Sequence, residues 1–270
     1  MSFSDFWTNN NNPSLPKEEY LYGTRHIVVL LITMFLCCLF GSIFAKKSIK
    51  AKNILMYVLA SILLFFEIIS RIVNLIIAES YSFSSVMKIL LPMHICSVMV
   101  WIFIIAIFTQ KRFLLTFSSI GGIMATLVFL LFPAVGLNRT YMSFTCIYST
   151  VSHMIGFVCA YLIIAFRYAK FEFKDIWKPF VCFAVMFAWG ALLNFVIFPG
   201  SDYMYMVNNP VDFDFWGIPY QVIAVALIGI YTTIFYLISY ICKLIQKKRI
   251  AVANARINGK SVNENSTLKK

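Results

Sequence analysis

The sequence predicts an all-α membrane protein of seven transmembrane helices, N-terminus outside and C-terminus cytoplasmic. Three observations carry that prediction: composition, the length of the apolar runs, and the charge of the loops between them. Of 270 residues, 61% are hydrophobic and 13% charged, with a mean hydropathy of +0.82. Soluble chains carry roughly 45–50% apolar and about 25% charged residues, so this chain has more apolar surface than a soluble domain can hide. The solvent that suits it is lipid, where every backbone polar group must be satisfied within a helix or a closed barrel.

Apolar runs of membrane length, about 17–25 residues, occupy 25–45, 53–78, 86–108, 113–134, 144–167, 176–199 and 217–245. The first 24 residues are polar and asparagine-rich and lack the basic stretch that opens a signal peptide, so the first run is expected to stay as a permanent span. Loop charge then alternates. Lys46, Lys47, Lys50 and Lys52 follow span one, Lys111 and Arg112 follow span three, Arg167, Lys170, Lys174 and Lys178 follow span five, and Lys243, Lys247, Lys248 and Arg249 follow span seven. Between spans six and seven the charges are Asp202, Asp212 and Asp214. The positive-inside rule therefore sets the orientation. The chain divides into a polar extracytoplasmic segment (1–24), a seven-helix domain (25–245) and a basic cytoplasmic tail (246–270). The tail is expected to be disordered and to touch anionic lipid headgroups. The net charge of +12 sits in loops rather than on a soluble domain, so the expected partners are membrane lipids and not nucleic acid. The cell membrane is the expected location. The seven cysteines lie almost wholly in apolar runs, without a disulfide framework.

Ionisable and polar side chains inside a membrane are costly and mark candidate sites. The three histidines, His26, His94 and His153, all fall in the outer half of their spans, and a shared polar pocket near the extracytoplasmic surface is the expectation. Span two carries Glu67, Ser70, Arg71 and Asn74 on one face, the i, i+3, i+4, i+7 pattern. A Glu67–Arg71 ion pair that serves packing is the plainer account of that stripe. Span five carries Cys146, Ser149, Thr150 and His153, with Ser149 one turn from an imidazole that could orient or deprotonate its hydroxyl. In "LPMHICSV" (91–98), Pro92 must start or kink a helix. His94 and Cys96 then lie about 200° apart on a regular helix, which makes His94 the inward candidate and Cys96 secondary. Asn194, Asp202 and Tyr203 leave span six at the same outer level.

As a set, "YGTRHIVVLL", "LPMHICSV", "STVSHMIGF", "NFVIFPGSDYMYM" and "NNPVDFDFWGIPYQ" resemble motifs of the YwaF-like family of bacterial multi-pass membrane proteins over about residues 20–235. That family is similar to a eukaryotic transmembrane acyltransferase that moves acyl chains among ether phospholipids. The resemblance implies a lipid acyl-transfer or hydrolase site near one membrane face, with His94 and His153 on family motif positions. In the eukaryotic relatives the nucleophilic cysteine directly precedes the histidine of span three. Here that place holds Met93, and Cys96 stands two residues beyond the histidine.

The functional expectation is a lipid acyltransferase or lipid hydrolase. Its catalytic candidates are His94, His153, Cys96 and Ser149, and its substrate-binding candidates are His26, Glu67, Arg71, Asn74, Asn194, Asp202 and Tyr203. No cofactor and no metal are expected, because no H-x-x-x-H pair shares a helix face. The alternative is a transporter or small-molecule-binding protein without catalysis, which an odd number of spans without inverted repeats disfavours.

Overall fold

The computed structural model describes residues 6–7, 12–78, 80–132, 137–207 and 218–267, with side chains described as far as Lys248 and not at Tyr205. Asp212, Asp214 and most of the "NNPVDFDFWGIPYQ" motif lie outside the described residues. The elements are α1 (Thr24–Ala45), α2 (Ile49–Ile76), α3 (Phe83–Leu90), α4 (Ile95–Thr109), α5 (Arg112–Leu131), α6 (Phe144–Ala165), α7 (Trp177–Leu192) and α8 (Tyr220–Thr267). The protein is all-helical, with six helices long and apolar enough to cross a membrane. The bent pair α3 and α4, at 57° to each other, makes a seventh when taken as one span.

Local sequence explains most of the boundaries. Ser48, Ser82 and Ser143 precede α2, α3 and α6, and each accepts a hydrogen bond from the backbone N–H three residues on, satisfying one orphan donor of its helix. Three residues join α1 to α2, and Gln110 in the left-handed region (φ 53°) turns α4 directly into α5. Pro92 has the effect expected of it: α3 ends at Leu90 and α4 begins at Ile95. Toward its end α7 loosens into a π turn, Leu193–Ile197. The last helix continues to Thr267, through residues that the sequence assigned to a tail.

At the centre stands α5, with 67% of its apolar stretch buried against 11% for α1 and for α8. It packs on α4, α6 and α7, while α6 also meets α1 and α2. Gly122 allows the α4–α5 approach, since a Cβ there would sit 2.1 Å from the Phe103 ring. The half of the bundle toward the basic loops is filled mainly by Phe103, Ile107, Leu63, Leu115, Cys159 and Leu162, with Thr116, Ser118 and Ser119 of α5 buried beside them. At the opposite end residues 12–15 lie along 138–141. Asn12 exchanges hydrogen bonds with the Tyr141 backbone, and Arg139 donates to the Asn12 carbonyl and to Ser14. Arg25, from the first turn of α1, donates to the carbonyls of Arg139 and Thr140. The polar N-terminal segment thus covers the end of the bundle where the candidate residues lie.

Candidate functional site

The polar stripe of α2 makes the ion pair that its spacing allows. Glu67 is fully buried and paired with Arg71. Its other oxygen accepts from the Tyr148 hydroxyl of α6 at 2.8 Å. Arg71 also donates to the Leu90 carbonyl at the end of α3, 3.1 Å, and its guanidinium lies over the Trp101 ring. The pair therefore ties α2 to α6 and to the interruption of the third span. Asn74 donates to Ser70 at 3.4 Å and adds a polar contact along the same face. Tyr148 was not among the sequence candidates. The signal that could have found it is general: an intramembrane phenol needs a partner for its hydroxyl, and a buried carboxylate on a neighbouring helix supplies one.

The three histidines occupy separate settings rather than the single pocket expected. His26 is fully buried. Its Nδ1 accepts from the Tyr22 backbone N–H at 2.9 Å and its Nε2 meets the Leu130 carbonyl at 2.6 Å. Only the neutral ring with the proton on Nε2 fits both contacts. Both nitrogens are used, and the ring serves to tie the start of α1 to the end of α5. His94 is the N-cap residue of α4, exposed rather than inward, because the break at Pro92 takes it off the regular helix that the sequence argument assumed. Its ring stands edge-on to Tyr203, with centroids 5.7 Å apart, close enough to Asp202 for that carboxylate to act on it.

His153 stacks on Phe129 of α5, centroids 3.8 Å apart, and its Nδ1 lies 2.6 Å from the Ser149 backbone carbonyl. A carbonyl only accepts, so Nδ1 carries the proton and Nε2 presents a lone pair. The ring engages the backbone of Ser149 and not its hydroxyl, since a side chain one turn back along a helix comes closest to that turn's carbonyl. A direct His153–Ser149 pair is therefore absent. Cys96 is half-buried, and its thiol donates toward the Ala125 carbonyl at 3.6 Å. Ala125 and Phe129 are one helical turn apart, roughly 6 Å along α5. The thiol of α4 and the imidazole of α6 thus contact the central helix one turn apart, the thiol at a carbonyl and the imidazole at a ring.

Met93 is buried with Leu193 and Phe198, in a different cluster from the one Cys96 packs against. Asn194, in the π turn, donates to the Tyr203 carbonyl at 2.9 Å and accepts from the Tyr203 N–H at 2.7 Å. It fixes the outer loop through both its amino group and its carbonyl oxygen. Asp202 accepts from the Val207 N–H at 2.8 Å, so the same loop holds the carboxylate near His94. Trp189 was also missed by the sequence argument. Its indole N–H donates to the Pro92 carbonyl at 3.0 Å and bridges the two interrupted spans. Among the described residues no group of three or more His, Cys, Asp or Glu side chains is placed to hold a metal ion.

A family model, that of the TMEM164 family, matches residues 21–239. The chain belongs to the TMEM164 family. The match covers every candidate side chain described above and stops short of the helical extension beyond residue 239. No curated protein and no solved structure matches the chain. As a TMEM164 family member it is a multi-pass integral membrane protein, as its apolar helices require.

Proposed function

We propose that this TMEM164 family protein, related to the YwaF-like bacterial branch, is a lipid acyltransferase or lipid hydrolase of the cell membrane, with Cys96 as nucleophile and His153 as base. The observation that carries this reading is the shared platform on α5, where Ala125 receives the thiol and Phe129 receives the ring. The Ser149 carbonyl fixes the tautomer that leaves Nε2 basic, the role a third group plays in oriented nucleophile–base pairs. In the first step the thiol gives its proton to Nε2 as sulfur attacks the ester carbonyl carbon. The carbon–oxygen bond then breaks, and the departing lysophospholipid hydroxyl takes that proton. The resulting thioester passes its acyl group to an acceptor hydroxyl in a transferase, or to water in a hydrolase, regenerating the thiol. The exposed His94 with the half-buried Asp202 and Tyr203 forms the polar margin of the site, suited to the donor headgroup. The ion pair of Glu67 and Arg71 with Asn74, the His26 tie and Asn194 shape its walls, and Ser149 acts through its carbonyl.

The test is intact-protein mass spectrometry after incubation with phospholipid, together with whole-lipid profiles of expressing cells. Wild type should carry a hydroxylamine-labile acyl adduct that Cys96→Ala lacks, and His153→Ala should slow its formation about 10²–10⁴-fold. Absence of the adduct together with identical lipid profiles for wild type and Cys96→Ala would overturn the reading.

A further inference from the structure

At the end of the bundle away from Cys96, the start of α5, the loop after α6 and the first turn of α7 enclose a cavity of about 150 Å³. Its lining brings three cations, Arg112, Lys170 and Lys178, against the single carboxylate of Asp175. Two of the cations are already engaged: Lys178 with Asp175 at 2.7 Å and Lys170 with Glu172. Hydrogen bonds from Lys170 and Lys174 hold the Glu172 carboxyl down at about 2, so that clamp stays charged at neutral pH. Arg112 has no side-chain partner among the described residues.

The walls are fixed before any ligand arrives. The Lys170 N–H donates to Thr116 Oγ1 at 3.1 Å, the Tyr236 hydroxyl to the Asp175 carbonyl at 3.4 Å, and Lys243 Nζ to the Phe171 carbonyl at 2.7 Å. Phe113, Phe117 and Pro179 make the rest of the lining apolar. A free guanidinium with two further cations beside it suits a phosphate, which arginine meets with paired hydrogen bonds. The start of α5, which has no side-chain cap, adds its N–H groups to the field. Apolar walls at a membrane surface suit the part of a lipid where headgroup meets chain.

We propose that this cavity binds the phosphate of an anionic phospholipid headgroup in the cytoplasmic leaflet, at a defined site separate from the proposed acyl-transfer centre and from the basic tail. The test is native mass spectrometry of the full-length protein in detergent with dihexanoyl-phosphatidylglycerol, dihexanoyl-phosphatidylcholine and inorganic phosphate. Phosphatidylglycerol should bind in preference to phosphatidylcholine, and Arg112→Gln should weaken it about tenfold, the loss of one charge-assisted contact. Lys50→Gln, which removes a charge outside the cavity, should leave binding unchanged, and unaltered melting temperatures would show both variants folded. Displacement of phosphatidylglycerol by millimolar phosphate would identify free phosphate as a sufficient ligand. Failure of phosphate to compete would identify the lipid as the ligand. Either result supports the phosphate site. Equal losses in Arg112→Gln and Lys50→Gln would reduce the site to diffuse surface charge, and equal binding of the two lipids would show that the cavity does not select an anionic headgroup; either result would overturn the proposal.

Discussion

His26 and His153 are both intramembrane imidazoles in contact with backbone carbonyls, yet the number of nitrogens engaged separates their roles. His26 uses both, one on the Tyr22 N–H and one on the Leu130 carbonyl; His153 uses Nδ1 on the Ser149 carbonyl. Removing the His26 ring strands the buried Leu130 carbonyl, which costs about 1–3 kcal/mol, loses the part-buried bond from the Tyr22 N–H, and leaves a cavity where the buried ring packed. His26→Ala is therefore expected to lose about 2–5 kcal/mol of stability, read as a lower melting temperature in detergent. An unchanged melting temperature would show that the ring does not tie α1 to α5. Counting residues along the apolar runs put both rings at one level, and in the structure they meet successive residues of α5, Leu130 and Phe129. The sequence could not say which ring was tied at both ends, because that depends on the carbonyls of α5, which leave no mark in side-chain spacing.

The broken third span shows why some of the site was legible at the level of elements and some was not. Pro92 acts on its own neighbourhood, by a missing N–H and a clash with the preceding turn, so the interruption between Leu90 and Ile95 could be foreseen. What holds the break is remote: Arg71 on the Leu90 carbonyl, Trp189 on the Pro92 carbonyl, and Tyr148 on the carboxylate that positions Arg71. Tyr148 and Glu67 are 81 residues apart in sequence, and no local period encodes such a partner. The α2 stripe made the ion pair visible but not its task of pinning α3. Removing one member of a buried pair leaves an uncompensated charge and costs about 3–5 kcal/mol, while replacing both members can be neutral. Arg71→Met is accordingly expected to lower the melting temperature sharply, and Glu67→Gln with Arg71→Met to recover most of the loss. A double variant as unstable as the single one would mean that Arg71 acts through the Leu90 carbonyl alone.

At the scale of the whole molecule, orientation turns on whether the bent α3–α4 pair crosses the bundle or returns to the side it came from. If it returned, Arg112 at the start of α5 would face the opposite way from Lys46, Lys47, Lys50 and Lys52, and loop charge would no longer assign a side. The contacts argue for crossing. Arg112 shares a cavity with Lys170 and Lys178 of the α6–α7 connection. Lys52, near the start of α2, lies over Phe166 at the end of α6, and Tyr168 just beyond bonds to Asn53. Lys243 of α8 reaches the Phe171 carbonyl in the same connection. All four basic segments therefore gather at one end of the bundle, and a bent pair that turned back would have split them. Positive loops stay on the cytoplasmic side, so a fluorescent protein fused after residue 270 should fluoresce while alkaline phosphatase fused there stays inactive. Phosphatase fused at 207, between α7 and α8, should be active. The reverse pattern would place Cys96 and His153 toward the inner leaflet and Arg112 toward the outer one, exchanging the lipid pools open to the proposed acyl-transfer centre and to the phosphate cavity.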